Sequence, residues 1–221
     1  MIDLRPWLPR APENDPSPSH HPKSGYTVHY EGAEVARDMS DAEAQLLIQA
    51  NAIFHIHKDW RSKDEIAADP SHPVNGGGLM YAIAIAPSGS TYQTRDLDAI
   101  LWHSDAANGN RNTTPVLVLC GPNTPPTTAQ YRSLDEILLG QTAYPHSYWS
   151  PTECPGDALR YWLEYGGEED EMTKEEREAE FLEFTAKHIA PTIEAMKQSY
   201  DPVAAKYPIH SHDTYPPTPI V

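Results

Sequence analysis

A short segment near residue 150 constrains this chain most, because it carries two potential metal ligands close together. It reads His146-Ser-Tyr-Trp-Ser-Pro-Thr-Glu-Cys154-Pro-Gly, so a histidine and a cysteine stand eight positions apart. An imidazole and a thiolate are both good ligands for Zn²⁺. A catalytic zinc site usually has three protein ligands and leaves the fourth position to water or substrate. The segment therefore predicts two ligands, and the rest of the chain must supply the third.

The overall composition limits the partners of the chain. Its 221 residues carry 32 acidic and 16 basic side chains, a formal net charge of -16. Such a chain is repelled by nucleic acid and by anionic membrane surfaces, so we expect neither as a partner. No apolar run approaches the ~20 residues of a membrane span, and two cysteines make no disulfide framework. The first residues lack the apolar core of a signal peptide, which predicts a protein made and kept in a cytoplasm.

Alternating strand and helix patterns predict an α/β domain over residues 25–165, with a central mixed β-sheet flanked by helices. The strand patterns are short apolar or β-branched runs, at 26–30, 80–86, 90–94 and 114–120. The helix patterns span 41–58, 128–139 and 157–165, and the first has Leu46, Ala50, Ile53 and Phe54 at helical spacing. Cys120 ends the most apolar strand, where a cysteine acts as a small hydrophobic side chain.

The two ends of the chain differ from this domain in composition. Residues 1–24 are rich in proline and predict an irregular N-terminal arm. Residues 166–221 begin with an acidic run and continue with the capping-box sequence Thr173-Lys-Glu-Glu176 and an apolar stripe at helical spacing. They predict a C-terminal acidic helical extension that ends in a proline-rich tail.

Four sequence pieces carry a resemblance to a known family. They are Val28-His29-Tyr30-Glu31-Gly32, Met80-Tyr81, Leu101-Trp102-His103, and Thr152-Glu-Cys-Pro-Gly156 behind His146. In order and content they resemble the zinc-dependent N-acetylmuramoyl-L-alanine amidases. That family includes phage endolysins and shares its fold with the peptidoglycan recognition proteins. The similarity covers about residues 25–165.

The resemblance implies the third metal ligand. In the family the first histidine ligand ends the first strand, and His29 stands at that place. Together with His146 and Cys154 it would form a Zn²⁺ site. His55 and His57 compete for the role, but their helical spacing is more typical of packing or surface histidines.

The resemblance also implies residues for catalysis and substrate binding. Tyr81 matches a tyrosine whose hydroxyl assists at the reacting amide. Thr152 stands where some phage members have lysine, and an uncharged donor there stabilises developing negative charge less. Glu31 is either a general base or a solvated loop carboxylate. Trp102 and His103 would line the substrate cleft.

These expectations combine into a functional hypothesis. The resemblance implies zinc-dependent hydrolysis of the amide bond between N-acetylmuramic acid and L-alanine in bacterial peptidoglycan, by a monomer. An endolysin would wait in the host cytoplasm and reach the wall once the membrane is permeabilised. The alternatives are a cytoplasmic amidase that recycles wall fragments, a non-catalytic peptidoglycan-binding protein, and a zinc hydrolase of another amide. Members of the fold that only bind lack the cysteine ligand, so Cys154 favours an enzyme.

Overall fold

Six strands form one mixed sheet at the centre of the computed structural model of the chain. In chain order they are β1 (Ile2–Asp3), β2 (Gly25–Tyr30), β3 (Ile83–Ile85), β4 (Thr91–Gln93), β5 (Thr113–Val118) and β6 (Ala143–Pro145). Across the sheet the order is β1-β4-β3-β5-β2-β6. The β3–β4 pair is antiparallel, and the other neighbouring strands of this sheet are parallel. The predicted mixed α/β fold is confirmed.

The structure describes most of the chain as far as residue 165. The described residues are 1–11, 14, 20–61, 63–69, 71 and 74–165. They belong to the first of two compact units, Met1–Glu168, and the second unit is Glu169–Val221. The C-terminal helical extension and tail expected from the sequence lie outside the described residues. Within the described part, no helix combines the length and apolar character that crossing a membrane requires.

Among the described residues, five α-helices accompany the sheet, and three of them begin where the sequence predicts. The helices are α1 (Asp41–His57), α2 (Lys63–Ala68), α3 (Ala107–Asn112), α4 (Thr128–Leu138) and α5 (Asp157–Tyr165). Capping boxes begin two of them, Ser40 with Glu43 at α1 and Thr127 with Gln130 at α4. In each box the side chains satisfy backbone N–H groups that the first helical turn leaves unpaired.

The helices cover both faces of the sheet. Successive β5 side chains point to opposite faces, so Val116 and Val118 join one apolar cluster and Leu117 joins the other. Leu134 of α4 and Leu159 of α5 pack in the first cluster, and α1 packs in the second. Cys120 lies buried in the first cluster, as predicted for a structural thiol. The face covered by α1 is the one that carries the site.

The buried face of α1 differs from the apolar stripe in its sequence. Its buried residues are Ala44, Ile48, Ala52 and His55, whereas Leu46, Ala50, Ile53 and Phe54 are exposed. Small alanine side chains allow the helix backbone to lie close to the sheet. The predicted helix is confirmed, but the face that packs against the sheet is not the face that carries most of its larger apolar residues.

Several short strands and helices are not predicted from the sequence, or are predicted too long. The predicted strand 80–86 is paired as β3 only over Ile83–Ile85. β1 lies within the predicted N-terminal arm and pairs with β4 at the sheet edge. β6, α2 and α3 lie in stretches whose sequence shows no clear period. Elements of two to six residues carry too little pattern to stand out from loops.

Candidate metal centre

A cleft of about 290 Å³ opens where β2 ends. Tyr30 and Glu31 line it from the end of β2, and α1 contributes Asn51, Phe54 and His55. The opposite side comes from the loops that precede β3 and α3 and from the segment after β6. These loops carry the residues Met80, Tyr81, Trp102, His103 and His146.

Three side chains at this cleft form a group that can hold a metal ion. One ligand atom from each of His29, His146 and Cys154 lies within 4.8 Å of the others. The Sγ of Cys154 is 3.8 Å from Nδ1 of His29, and the ring centroids of His29 and His146 are 4.3 Å apart. The structure thus brings together the three residues that the resemblance implies as ligands. His55 and His57 are outside this group.

Strand pairing and one loop bond explain how residues 29, 146 and 154 meet. β6 pairs with β2 in parallel, with Pro145 opposite Val28, so His146 arrives beside His29. The N–H of Ser147 then donates to the carbonyl of Cys154 over 2.9 Å and closes the loop. The N–H of Tyr30 donates to the Cys154 Sγ over 3.4 Å. The thiol is therefore held against the end of β2.

The chemistry of these three residues fits Zn²⁺. The Nε2 atom of His146 is buried and has no hydrogen-bond partner among the described residues, which is costly for a polar atom unless a ligand satisfies it. Burial lowers the pKa of His29 and of His146, which keeps both rings in the neutral form that binds metals. Burial raises the pKa of Cys154 to about 12, so a nearby cation is needed to form the thiolate. Two imidazoles and a thiol suit Zn²⁺ far better than Ca²⁺ or Mg²⁺, which prefer oxygen ligands.

The three predicted catalytic residues, Tyr81, Glu31 and Thr152, each contact a different residue near the cleft. The Tyr81 ring lies 4.9 Å from that of His29, and burial raises the pKa of its hydroxyl, which stays protonated at neutral pH. A carboxylate oxygen of Glu31 accepts a 2.6 Å bond from Asn51 Nδ2, and burial raises the pKa of Glu31. Thr152 lies within the loop, where its hydroxyl oxygen accepts from the N–H of Cys154 over 3.2 Å.

The predicted substrate-binding pair is more closely tied to the metal ligands than the sequence indicates. Trp102 is half-buried and lines the cleft. His103 also lines it, but its Nδ1 lies 3.1 Å from Nε2 of His29. Burial lowers the pKa of His103 to about 3, so the ring is neutral. His103 therefore touches a candidate ligand directly.

His55 is a packing histidine, as its helical spacing indicates, but its bond to the segment before Tyr81 was not predicted from the sequence. His55 is buried, and its Nδ1 accepts a 3.0 Å bond from the N–H of Met80. A Cβ at Gly76 would lie 2.6 Å from the His55 carbonyl oxygen and 2.9 Å from Nε1 of Trp60. The glycine at this position lets the loop pack on the end of α1, which sets the approach of Tyr81 to the site. The glycine run itself was the available signal of a close backbone approach.

Comparisons with known proteins identify the fold. No protein-family model matches the sequence, and no curated protein matches it. Among solved structures, the ectodomain complex of peptidoglycan recognition proteins LCa and LCx with tracheal cytotoxin has a TM-score of 0.59 and 16% identity, covering 74% of this chain and 95% of that chain. The fold is that of the peptidoglycan recognition proteins.

Two further structures agree with this assignment. Peptidoglycan recognition protein LE, in complex with tracheal cytotoxin, has a TM-score of 0.58 and 16% identity over 76% of this chain and 94% of that chain. Drosophila PGRP-LB has a TM-score of 0.56 and 17% identity over 78% and 95%. At such identities the likeness concerns the fold alone, so the function has to be argued from the site.

Proposed function

We propose that this chain is a zinc-dependent N-acetylmuramoyl-L-alanine amidase, acting as a monomer on bacterial peptidoglycan. The observation that carries the proposal is the convergence of His29, His146 and Cys154 at a cleft that Tyr81 also lines. The fold adds support, because PGRP-LE is described in complex with a monomeric diaminopimelic acid-type peptidoglycan. The motif resemblance points to the same substrate.

In this proposal His29, His146 and Cys154 hold Zn²⁺. When bound, the ion supplies a water of lowered pKa and polarises the amide carbonyl of the substrate. The protein contributes a partly buried site, where fixed dipoles and hydrogen bonds act more strongly than in water. The loop bond between Ser147 and Cys154 holds two of the ligands in register.

The cleft residues would each perform one task. Tyr81 keeps its proton and donates a hydrogen bond to the carbonyl oxygen of the scissile amide as negative charge grows there. Glu31, with a raised pKa, is a good acceptor for a proton from the attacking water and can return it to the leaving nitrogen. Thr152 steadies the Cys154 amide and retains an O–H that can donate one further bond. Trp102 offers an apolar wall to the substrate.

The test is digestion of purified peptidoglycan sacculi with the full chain, followed by mass spectrometry of the products. We expect free N-termini on L-alanine, intact stem peptides, and one zinc per chain by elemental analysis. A chelator should abolish the reaction and added Zn²⁺ should restore it. Binding to sacculi without cleavage would indicate a non-catalytic peptidoglycan-binding protein, and cleavage elsewhere would indicate another zinc hydrolase.

We further propose the endolysin setting over wall-fragment recycling, on the strength of the motif resemblance. An endolysin cleaves the polymeric wall, whereas a recycling amidase acts on small soluble fragments. The ratio of the rates on intact sacculi and on soluble muropeptides distinguishes them. A chain produced in a bacterial cytoplasm should leave cells intact until the membrane is permeabilised, and then cause rapid lysis. Preference for soluble fragments, with no lysis, would favour recycling.

A further inference from the structure

A buried row of polar side chains extends from the metal centre to the base of the sheet. Nε2 of His29 lies 3.1 Å from Nδ1 of His103, and Nε2 of His103 lies 3.4 Å from Oγ1 of Thr113. The Thr113 hydroxyl is 2.6 Å from that of Thr27, which accepts a 2.9 Å bond from Nε1–H of Trp149. The two histidines and two threonines are almost fully buried, so water cannot rearrange the pattern.

The two ends of this row determine which atom donates in each hydrogen bond. The indole of Trp149 can only donate, and the carbonyl of Gly109, 2.7 Å from Oγ1 of Thr113, can only accept. Thr113 therefore donates its single hydroxyl proton to the carbonyl oxygen of Gly109. Thr27 accepts from Trp149 and donates its own proton to Thr113. Any further bond to Oγ1 of Thr113 must come from a donor.

The same reasoning assigns the tautomers of both histidines. Nε2 of His103 faces an oxygen that can only accept, so it carries the proton and Nδ1 is bare. Nε2 of His29 faces this bare nitrogen and must donate to it. Nδ1 of His29 is then the bare atom, and it is the one that faces Sγ of Cys154 at 3.8 Å. The row thus ends with a lone pair directed at the candidate metal position.

We infer that His103 and Thr113 are positioning residues, which fix the tautomer and ring orientation of His29 so that Nδ1 is its metal-binding atom. This inference rests on the metal centre of the proposed function. A ligating histidine usually donates its other ring N–H to a fixed partner, and loss of that partner typically costs 10–100-fold in metal affinity. Here the partner is a neutral histidine, itself oriented by a threonine.

The strand pattern explains why the row is continuous. Thr27 and His29 are two residues apart on β2 and so point to the same face of the sheet. Thr113 begins β5, the neighbour of β2, opposite Gly25. His103 precedes α3, and Gly109 lies on α3, whose end is joined to β5. Two neighbouring interior strands, β2 and β5, together with α3 and the segment before it, therefore place the two histidines, the two threonines and Gly109.

The test is the zinc dissociation constant of the metal-stripped full chain, measured by competition with a chelating dye. His103→Ala should weaken binding about 10–100-fold. His103→Asn places an amide oxygen near the former Nδ1 and should recover most of the affinity. His103→Gln places its amide near the former Nε2 and should remain weak. Thr113→Val should weaken binding about tenfold, whereas Thr113→Ser keeps the hydroxyl and should bind like the parent chain.

Ring nitrogen shifts of the zinc-free chain give a readout independent of activity and affinity. Nitrogen-15 NMR should show His29 protonated at Nε2 in the parent chain and a mixture of tautomers in Thr113→Val. Unchanged zinc affinity in His103→Ala, or equal rescue by Asn and Gln, would overturn the inference and leave the proposed function standing. If the parent chain itself takes up no zinc, the proposed metal centre is wrong and the inference falls with it.

Discussion

The N–H of Ser147 donates a 2.9 Å hydrogen bond to the carbonyl of Cys154, and this bond closes the segment that carries two candidate ligands. His146 stands at the start of the segment and Cys154 at its end. Parallel pairing of β6 with β2 brings the closed segment beside His29. The ligand atoms of His146 and Cys154, eight positions apart in sequence, thus lie within 4.8 Å of each other and of a ligand atom of His29.

The first prediction concerns the metal ligands. Cys154→Ala should remove zinc and amidase activity together, because two imidazoles alone hold the ion weakly. Elemental analysis and sacculus digestion measure the two losses. Cys120→Ala is the matched control, since it removes the other cysteine of the chain and should leave one zinc bound. A Cys154→Ala chain with full zinc and full activity would refute the assignment.

The second prediction concerns the stability contributed by Cys120. Its thiol is buried in an apolar cluster with Val116, Val118 and Leu134. Cys120→Ala deletes one buried sulfur atom and should lower the free energy of unfolding by about 1 kcal/mol. Urea denaturation measures the change. Turnover should remain near that of the parent chain, and loss of zinc in this variant would show that Cys120 is not merely structural.

The third prediction is that the free energy of unfolding depends on pH through the burial of Cys120. Burial raises the pKa of Cys120 to about 12, above its value in the unfolded chain. The protonated Cys120 thiol contributes its full stability at pH values below its pKa in the unfolded chain. This contribution is lost as pH rises toward the pKa of the folded chain, because in that range the thiol ionises readily only in the unfolded chain. The unfolding free energy of the parent chain should therefore fall by roughly 2 kcal/mol more than that of Cys120→Ala between about pH 8 and about pH 10. Equal slopes in the two chains would contradict the raised pKa.

The fourth prediction concerns the Tyr81 hydroxyl. Tyr81→Phe keeps the ring and its contacts with His29 and His55 while deleting the donor. Removing one transition-state donor typically costs about 10²–10³ in kcat. Steady-state kinetics on purified wall should show this loss, with zinc content and urea midpoint unchanged. Turnover equal to that of the parent would make Tyr81 a packing residue.

The fifth prediction tests Glu31 as a general base. Glu31→Gln retains the shape of the side chain and removes its capacity to accept a proton, so kcat should fall about 10²-fold or more. Glu34→Gln is the control, because Glu34 is exposed and bonds to Asn123 and Thr124 instead. Both variants should keep their zinc. A Glu31→Gln chain as active as the control would leave Glu31 as a carboxylate that only orders Asn51.

Local patterns of the sequence determined the elements whose interactions are local. Helices α1 and α4 begin at the predicted residues, and the capping boxes at Ser40 and Thr127 that start them each involve residues only three positions apart. The His146–Cys154 spacing likewise announced a ligand pair, because a loop of that length can close on itself. The most apolar strand lies inside the sheet as β5, for burial on both faces demands such a composition.

Only the tertiary structure decided which distant residues meet. His29 and His103 are 74 positions apart, and their 3.1 Å contact depends on how β2, β5 and α3 pack together. The same packing buries the alanines of α1 and leaves Leu46 and Phe54 exposed. It also pairs Ile2–Asp3 with β4 as an edge strand. Such choices arise from the burial of many side chains at once, a cooperative energy that no short window of sequence contains.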